Sequence, residues 1–295
     1  MVHILLKGRL GNNLFQIATG ASLARQNGTS FCVYAPELAT DFGISSTYNE
    51  LMQLKNSILR GVDIRRGLPD PAFLYTETRF AYTPVPYKEG IVLSGYFQSP
   101  FYFDEQYVHN LFRIDESTKA YIANKYGDLL RKGLTSIHIR RGDYLSNLDF
   151  HPICSISYFR KAIKLVGEEQ PFLVVSNDVE WCKKKFRGSN FYFAENETAV
   201  VDLYLQSMCI NNIISNSSFS WWGAWLNENE GKMVICPAPW FGISARHLDV
   251  STLIPDGWIR LKNRMPLYLS IFACLRKWKR ELYRSLVGFG LIRKK

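Results

Sequence analysis

Residues 138–144 combine two adjacent arginines, a glycine and an aspartate directly after an apolar run. A guanidinium group stays charged at any relevant pH and binds phosphate oxygens through a forked pair of donors. Arg140 and Arg141 are therefore candidates for binding a diphosphate, and Asp143 is the nearest acidic side chain in sequence. An arginine pair in a loop can equally be solvated, so this segment alone leaves both interpretations open.

Residues 215–225 form a second cluster, in which four serines alternate with one phenylalanine and three tryptophans. The serines follow a predicted strand and open a predicted helix, where hydroxyl groups and helix-start N–H groups can bind an anion. The same geometry also serves to cap a helix above an aromatic core. The sequence does not separate these two roles.

Two further segments carry weaker signals. Residues 8–16 form a glycine-rich turn before a helical pattern, but they lack the third glycine of a dinucleotide fingerprint. Asn177 and Asp178 follow another predicted strand and can contact a base or a ribose, although both residue types are also ordinary turn formers.

The polar clusters coincide with the ends of predicted strands. Strands are predicted over residues 134–139, 172–175, 191–193 and 212–214, with helices over 157–166 and 199–209. A strand over residues 2–6 and a helix over 14–26 open the chain. Strands alternating with helices predict a parallel sheet, in which ligands lie beyond the carboxyl ends of the strands.

The net charge of +10 is confined to one end of the chain. Residues 1–259 hold 25 basic and 25 acidic side chains, whereas residues 260–295 hold 11 basic and one acidic. A neutral body without a recognition motif argues against binding to nucleic acid.

The basic tail has the spacing of an amphipathic helix. Its apolar side chains recur every three or four residues at Ile271, Leu275, Trp278, Leu282 and Leu286, and its basic side chains are Arg276, Lys277, Lys279, Arg280 and Arg284. This pattern predicts that residues 266–295 contact an anionic membrane surface. One alternative is a helix packed on the body of the protein; another is a non-enzymatic protein that binds membranes or polyanions through this tail.

The spacing of the cysteines and of the apolar residues predicts the compartment of the protein. Six widely spaced cysteines show no zinc-site spacing and are expected to be free thiols in a reducing compartment. We find no signal-peptide pattern and no run approaching the roughly 20 apolar residues of a membrane span. The expected location is the cytoplasm, with peripheral contact at the inner face of the membrane.

Four segments in a fixed order resemble the α-1,2-fucosyltransferases, glycosyltransferase family 11. They are residues 8–16, Gly95-Tyr-Phe-Gln-Ser99, residues 138–144 and residues 217–225. The resemblance covers about residues 2–260. Enzymes that form other fucose linkages share the arginine pattern, so the donor is better supported than the linkage.

The resemblance implies an α/β, GT-B-like fold with two Rossmann-like domains that face a cleft. Residues 1–130 would form the acceptor-side domain, 131–260 the GDP-fucose-binding domain and 261–295 the tail. The implied activity is inverting transfer of L-fucose from GDP-β-L-fucose to O2 of a β-galactoside, on a galactose-terminated glycan, in surface polysaccharide synthesis. No cofactor or metal is expected: the sequence lacks an Asp-x-Asp triplet, so arginine donors would take the electrostatic role of a metal.

The resemblance also assigns roles by position. Arg140 would bind the β-phosphate. In catalysis, Arg140 with Arg141 would stabilise the departing diphosphate. Asp143 is the candidate general base, and the alternative for it is a role in orienting Arg141 or the loop. His138, with Asn177 and Asp178, would approach the guanosine. The phosphates would contact Ser217, Ser218, Phe219 and Ser220. Asn12 would face the donor across the cleft, while Tyr96 and Gln98 would lie on the acceptor side.

Overall fold

The computed structural model describes residues 1–35, 45–67, 69 and 73–288. Within these residues, five strands form a first sheet in the order β3-β2-β1-β5-β4. The strands are β1 (Val2–Leu5), β2 (Phe31–Ala35), β3 (Ile64–Arg66), β4 (Phe73–Thr76) and β5 (Ile91–Ser94). Every neighbouring pair in this sheet runs parallel.

The later part of the described chain forms a second parallel sheet in the order β11-β10-β9-β6-β7-β8. Its strands are β6 (Thr135–Ile139), β7 (Phe172–Ser176), β8 (Phe191–Phe193), β9 (Asn211–Ile213), β10 (Val234–Ala238) and β11 (Ile259–Lys262). The strands predicted from sequence are confirmed to within one residue at each end. Two parallel α/β units confirm the predicted fold class, α/β and GT-B-like.

Helices connect the strands in both units. They are α1 (Leu10–Gln26), α2 (Tyr48–Gln53), α3 (Glu105–Leu111), α4 (Glu116–Leu130), α5 (Ile156–Val166), α6 (Val179–Lys185), α7 (Ala199–Ser207), α8 (Ser218–Trp225) and α9 (Leu267–Gly288). Short 3-10 turns cover Pro100–Tyr102 and Asp143–Ser146. α1 begins four residues before the predicted start, because burial of Leu10, Gly11 and Asn13 outweighs the weak helix preference of glycine and asparagine.

The two units meet where α1 contacts α8. The indole Nε1 of Trp222 donates a hydrogen bond to the carbonyl of Gly11 at 3.0 Å, and the ring of Phe15 lies 4.5 Å from that of Trp221. A Cβ atom on Gly11 would lie 2.4 Å from the backbone nitrogen of Phe219. Only glycine therefore allows the two helix starts to approach this closely.

The first sheet ends at Ser94 and the second spans Thr135 to Lys262. The predicted domain limits at 130 and 260 stay a prediction, with β11 ending two residues after the second limit. The five cysteines 32, 154, 182, 209 and 236 are buried, Cys274 is exposed, and all six are free thiols, as expected.

The predicted tail helix is present as α9, and it packs on the body. Leu269 and Ala273 are buried against Tyr144, Leu148 and Ile153. Two of its basic side chains contact the body through one carboxylate. Arg280 Nη1 lies 2.8 Å from Asp149 Oδ2, and Arg276 Nε lies 3.6 Å from Asp149 Oδ1.

The apolar stripe of α9 is solvent-exposed along most of its length. Ile271, Leu275, Trp278 and Leu282 are 52%, 57%, 63% and 42% exposed. Leu286 is half-buried, while the side chain of Arg284 and residues 289–295 lie outside the described part of the chain. No helix among the described residues is long and apolar enough to cross a bilayer.

Candidate functional site

Three of the predicted polar clusters lie together at the carboxyl edge of the second sheet. β9, β6 and β7 are neighbours in that sheet, so the residues that follow them converge. His138 Nδ1 lies 2.8 Å from Ser215 Oγ, and Arg141 Nε lies 3.1 Å from Asp178 Oδ2. The convergence predicted from strand ends is confirmed.

Arg140 is held by Asp143 in a two-point ion pair. Arg140 Nε lies 2.8 Å from Asp143 Oδ1, and Arg140 Nη2 lies 2.8 Å from Asp143 Oδ2. The guanidinium carbon is also 5.9 Å from the centre of the Tyr144 ring. This fork has the geometry that binds phosphate oxygens, and Asp143 presets its orientation.

The ion pair with Arg140 also affects whether Asp143 can act as a general base. Burial favours the neutral acid, but the hydrogen bonds and charge of Arg140 outweigh burial and hold the pKa of Asp143 below its ordinary value. A carboxylate with a lowered pKa is a weak proton acceptor. The structure therefore favours Asp143 as the residue that orients Arg140.

Arg141 points away from Arg140, toward α6. Its guanidinium carbon lies 4.5 Å from the centre of the Trp181 ring and its Nε pairs with Asp178. Phosphate binding was predicted for both arginines, but the guanidinium of Arg141 already has partners on the body. Asp178, predicted to approach the guanosine, is likewise paired, with 32% of its side chain exposed.

Asn177 holds the loop that carries both arginines. Its Oδ1 accepts hydrogen bonds from the backbone N–H groups of Arg141 and Gly142, at 3.0 and 3.3 Å. Its Nδ2 donates to Asp143 Oδ1 at 3.2 Å. Asn177 was predicted to bind the donor, and its contacts in the structure are those of a positioning residue.

His138 lies beneath the strand end instead of at the surface. Its side chain is 3% exposed, and burial, followed by the charge of Arg140, lowers its pKa to about 3. The imidazole is therefore neutral at physiological pH. His138, predicted to approach the guanosine, contacts Ser215 Oγ from this buried position.

The start of α8 combines the predicted serines with an uncapped helix end. No side chain caps this helix at Ser217, and Ser218 Oγ donates to Asn12 Oδ1 at 2.7 Å. Phe219 packs against His138, with ring centres 5.5 Å apart. Ser220, predicted to contact the phosphates, has a buried hydroxyl that donates to the carbonyls of Ser215 and Ser217 at 3.2 Å.

Asn12 joins the two units at this point. Its Oδ1 accepts hydrogen bonds from Ser218 Oγ and from Gln98 Nε2, the latter at 2.8 Å. α1, like α8, begins without a side-chain cap. Two helix starts, each with partial positive charge, thus lie side by side, and this arrangement favours an anion.

Gln16, a polar residue of the first motif, connects two segments of the first unit. Gln16 Oε1 accepts from the backbone N–H of Lys7 at 3.0 Å, and its Nε2 donates to the carbonyl of Gly95 at 2.8 Å. The glycine-rich turn is thereby tied to the segment that carries Tyr96 and Gln98.

That segment has a conformation set by Glu77, a residue that sequence reasoning missed. The Glu77 carboxylate accepts from the backbone N–H groups of Tyr96 and Phe97 at 2.7 and 3.0 Å, and Phe97 has a left-handed φ of 51°. Burial raises the pKa of Glu77. Of the two residues predicted on the acceptor side, Tyr96 is 42% exposed, whereas Gln98 is 8% exposed and bonded to Asn12.

A model of glycosyl transferase family 11 matches residues 1–241. O-antigen biosynthesis glycosyltransferase WbnK of Escherichia coli is 37% identical over 194 residues, 59% of this chain and 62% of that protein. An alpha-1,2-colitosyltransferase of Escherichia coli is 37% identical over 153 residues, 48% of this chain and 52% of its own. The chain thus spans between about half and two thirds of these relatives.

More distant similarities extend to animal proteins and to solved structures. Galactoside 2-alpha-L-fucosyltransferase Sec1 of Mus musculus is 25% identical over 253 residues, 78% of this chain and 65% of that protein. The structure of NodZ alpha-1,6-fucosyltransferase soaked with GDP-fucose has a TM-score of 0.48 at 14% identity, covering 76% of this chain and 92% of that one. The family match covers most of the chain and includes the arginine and serine motifs at one sheet edge. The chain therefore belongs to glycosyltransferase family 11, the α-1,2-fucosyltransferase family.

Proposed function

We propose that the protein is an inverting glycosyltransferase that moves L-fucose from GDP-β-L-fucose to O2 of a β-galactoside. The observation that carries this proposal is the forked guanidinium of Arg140 at the carboxyl edge of the second sheet. The starts of α1 and α8, neither of which has a side-chain cap, lie side by side at the same edge. The galactoside and the α-1,2 linkage rest on family membership and on the activities named for relatives.

In the proposed reaction, the acceptor O2 attacks C1 of fucose while the bond from C1 to the β-phosphate oxygen breaks, and the proton of the acceptor hydroxyl passes to water. The electron pair of that bond leaves with GDP, so negative charge grows on the diphosphate. The guanidinium of Arg140 gives up its ion pair with Asp143 and donates to a phosphate oxygen. The backbone N–H groups at the starts of α1 and α8 donate to the other phosphate oxygens. Preorganised donors aimed at developing charge are the largest catalytic term in many enzymes.

Metal independence is part of the proposal. Arg140 and the helix starts provide the positive potential that a divalent cation would otherwise supply. Among the described residues no group of three His, Cys, Asp or Glu side chains is placed to hold a metal ion. We assign no cofactor, and GDP-fucose enters as a substrate.

A second candidate concerns the donor sugar. The similarity to an alpha-1,2-colitosyltransferase, at 37% identity, favours testing activated colitose beside activated fucose. Both donors place a diphosphate at the same fork, so the site described above serves either one. A fucosyltransferase that forms another linkage is a further alternative, because the arginine pattern does not fix the acceptor oxygen.

The experiment measures GDP release with lactose as acceptor, with GDP-fucose or GDP-colitose as donor, in EDTA and then with added manganese. We expect acceptor-dependent release from GDP-fucose in EDTA, unchanged by the metal. Release from GDP-colitose alone would reassign the donor. Turnover that disappears in EDTA and returns with manganese would contradict the metal-independent account.

We further propose that the enzyme works at the cytoplasmic face of the membrane, through the exposed outer face of α9 that Ile271 and Trp278 define. Apolar side chains beside basic ones suit an anionic lipid surface. The double variant Ile271→Ser, Trp278→Ser is expected to sediment less with phosphatidylglycerol vesicles than the unmodified chain. Equal sedimentation would contradict the membrane contact.

A further inference from the structure

A cavity of about 400 Å³ lies between α9 and the turn Asp143–Ser146. Its apolar lining consists of Leu145, Leu148, Leu269, Phe272 and Leu275. This volume lies within the range of ligand sites in proteins, which are also mainly apolar. We call this cavity the α9 groove.

The α9 groove is preformed, because the helix that makes one wall is anchored to the body. Arg280 Nη1 lies 2.8 Å from Asp149 Oδ2, and Arg280 Nη2 donates to Asn147 Oδ1 at 2.7 Å. Asp149 is fully buried beneath these contacts. A ligand therefore meets a wall that is already in place, which lowers the entropic cost of binding.

Two cationic side chains border the α9 groove. Arg276 shares the carboxylate of Asp149 with Arg280, and Lys279 has no ion-pair partner within the described ranges. Two arginines thus face one carboxylate, and Lys279 adds a further positive charge. An apolar groove with a positive border is complementary to an apolar chain that carries an anionic group.

The α9 groove adjoins the candidate active site through one short turn. Asp143, which orients Arg140, begins this turn, and Leu145 in the same turn lines the groove. Phe272 and Leu275 are 60% and 57% exposed, so apolar surface that a chain could cover faces solvent there. The groove and the loop of Arg140 thus share this turn.

We propose that the α9 groove binds the alkyl or isoprenoid chain of a glycolipid acceptor whose sugar is linked to that chain through phosphate. The inference rests on the proposed function for the sugar part of this acceptor. Arg276 and Lys279 bind the phosphate, the five apolar side chains bind the chain, and the galactoside extends toward the fucose of a donor held by Arg140. A membrane phospholipid is the competing occupant, which the experiment separates from the acceptor.

The first measurement is calorimetric titration of the full chain with dodecyl phosphate below its micelle concentration, without any donor. Binding should weaken at least tenfold in the double variant Phe272→Ser, Leu275→Ser, which alters two exposed side chains of the groove. The matched double variant Ile271→Ser, Trp278→Ser, on the outer face of the same helix, should bind dodecyl phosphate as the unmodified chain does. Equal loss in both variants would overturn the proposal.

The charge of the border is tested with Lys279→Gln. This change should weaken binding of dodecyl phosphate and leave binding of dodecyl maltoside, which has an uncharged head group, unaltered. Equal effects on the two ligands would refute the assignment of the phosphate to this border.

The second measurement compares lactose with lactose linked through phosphate to a dodecyl chain. The linked acceptor should have a KM at least tenfold lower, and the groove variant should lose that advantage while its kinetics with lactose stay the same. If the groove variant loses only vesicle binding and keeps the advantage, the occupant is a membrane phospholipid and the proposal is wrong. Absence of transfer to both acceptors would contradict the proposed function, while the titration still decides the groove.

Discussion

At the scale of single residues, the two neighbouring arginines have different surroundings. Arg140 makes a two-point contact with a partly exposed carboxylate, whereas Arg141 is stacked on Trp181 and paired with Asp178. As neighbours of one residue type, both are candidates for phosphate binding from sequence, and the resemblance assigns the β-phosphate to Arg140. Both follow the end of β6, and their directions differ because each pairs with a different carboxylate, Arg140 with Asp143 and Arg141 with Asp178.

Lysine substitution should therefore separate the two arginines. We expect Arg140→Lys to lower kcat by on the order of 10²–10³, because a point charge does not reproduce the fork. Arg141→Lys should retain most activity, since an ammonium group can still pair with Asp178. Steady-state kinetics of both variants at saturating GDP-fucose would check this, and a larger loss of kcat in Arg141→Lys would reverse the assignment.

At the scale of elements, the contact of α1 with α8 sets the distance between the two units. Gly11→Ala would place a Cβ atom 2.4 Å from the backbone of Phe219, which cannot move aside as a flexible side chain can. We expect the variant to lose about 1–3 kcal/mol of unfolding free energy, the usual cost of overpacking, together with donor affinity.

The matched control is Gly127→Ala in α4, where the nearest atom to the added Cβ would be the flexible end of Arg131 at 3.5 Å. Alanine in a helix interior is favoured over glycine by up to about 1 kcal/mol, so this variant should be as stable as the unmodified chain or more stable. Urea denaturation of both variants provides the measurement. A Gly11→Ala variant as stable as the control would show that the helix starts are not tightly held.

The strands and the convergence of polar clusters could be predicted because both follow from local apolar periodicity and from the geometry of parallel sheets. The burial of His138 and the internal bonds of Ser220 could not, since which polar atoms are satisfied inside the protein depends on contacts between distant segments. Glu77 illustrates the same limit. Its function in shaping the turn at Phe97 is visible only once β4 and β5 are paired.

At the scale of the whole molecule, the loops at the carboxyl edge of the second sheet contact both α/β units and the docked helix α9. The turn Asp143–Ser146 contacts the helix α9 on one side and, through Tyr144 Oη donating to the carbonyl of Asn216 at 2.9 Å, the serine loop on the other. Asn12 continues these contacts into the first unit. The proposed donor site, acceptor side and membrane face thus share a continuous set of contacts.

The most direct test of the central claim is product analysis after incubation of the full chain with GDP-fucose and lactose in EDTA. Linkage and anomer are read by NMR from the purified trisaccharide. The account predicts one product, with fucose joined through an α-linkage to O2 of galactose. A β-linkage would contradict inversion, and fucose on any other oxygen would contradict the assigned acceptor position.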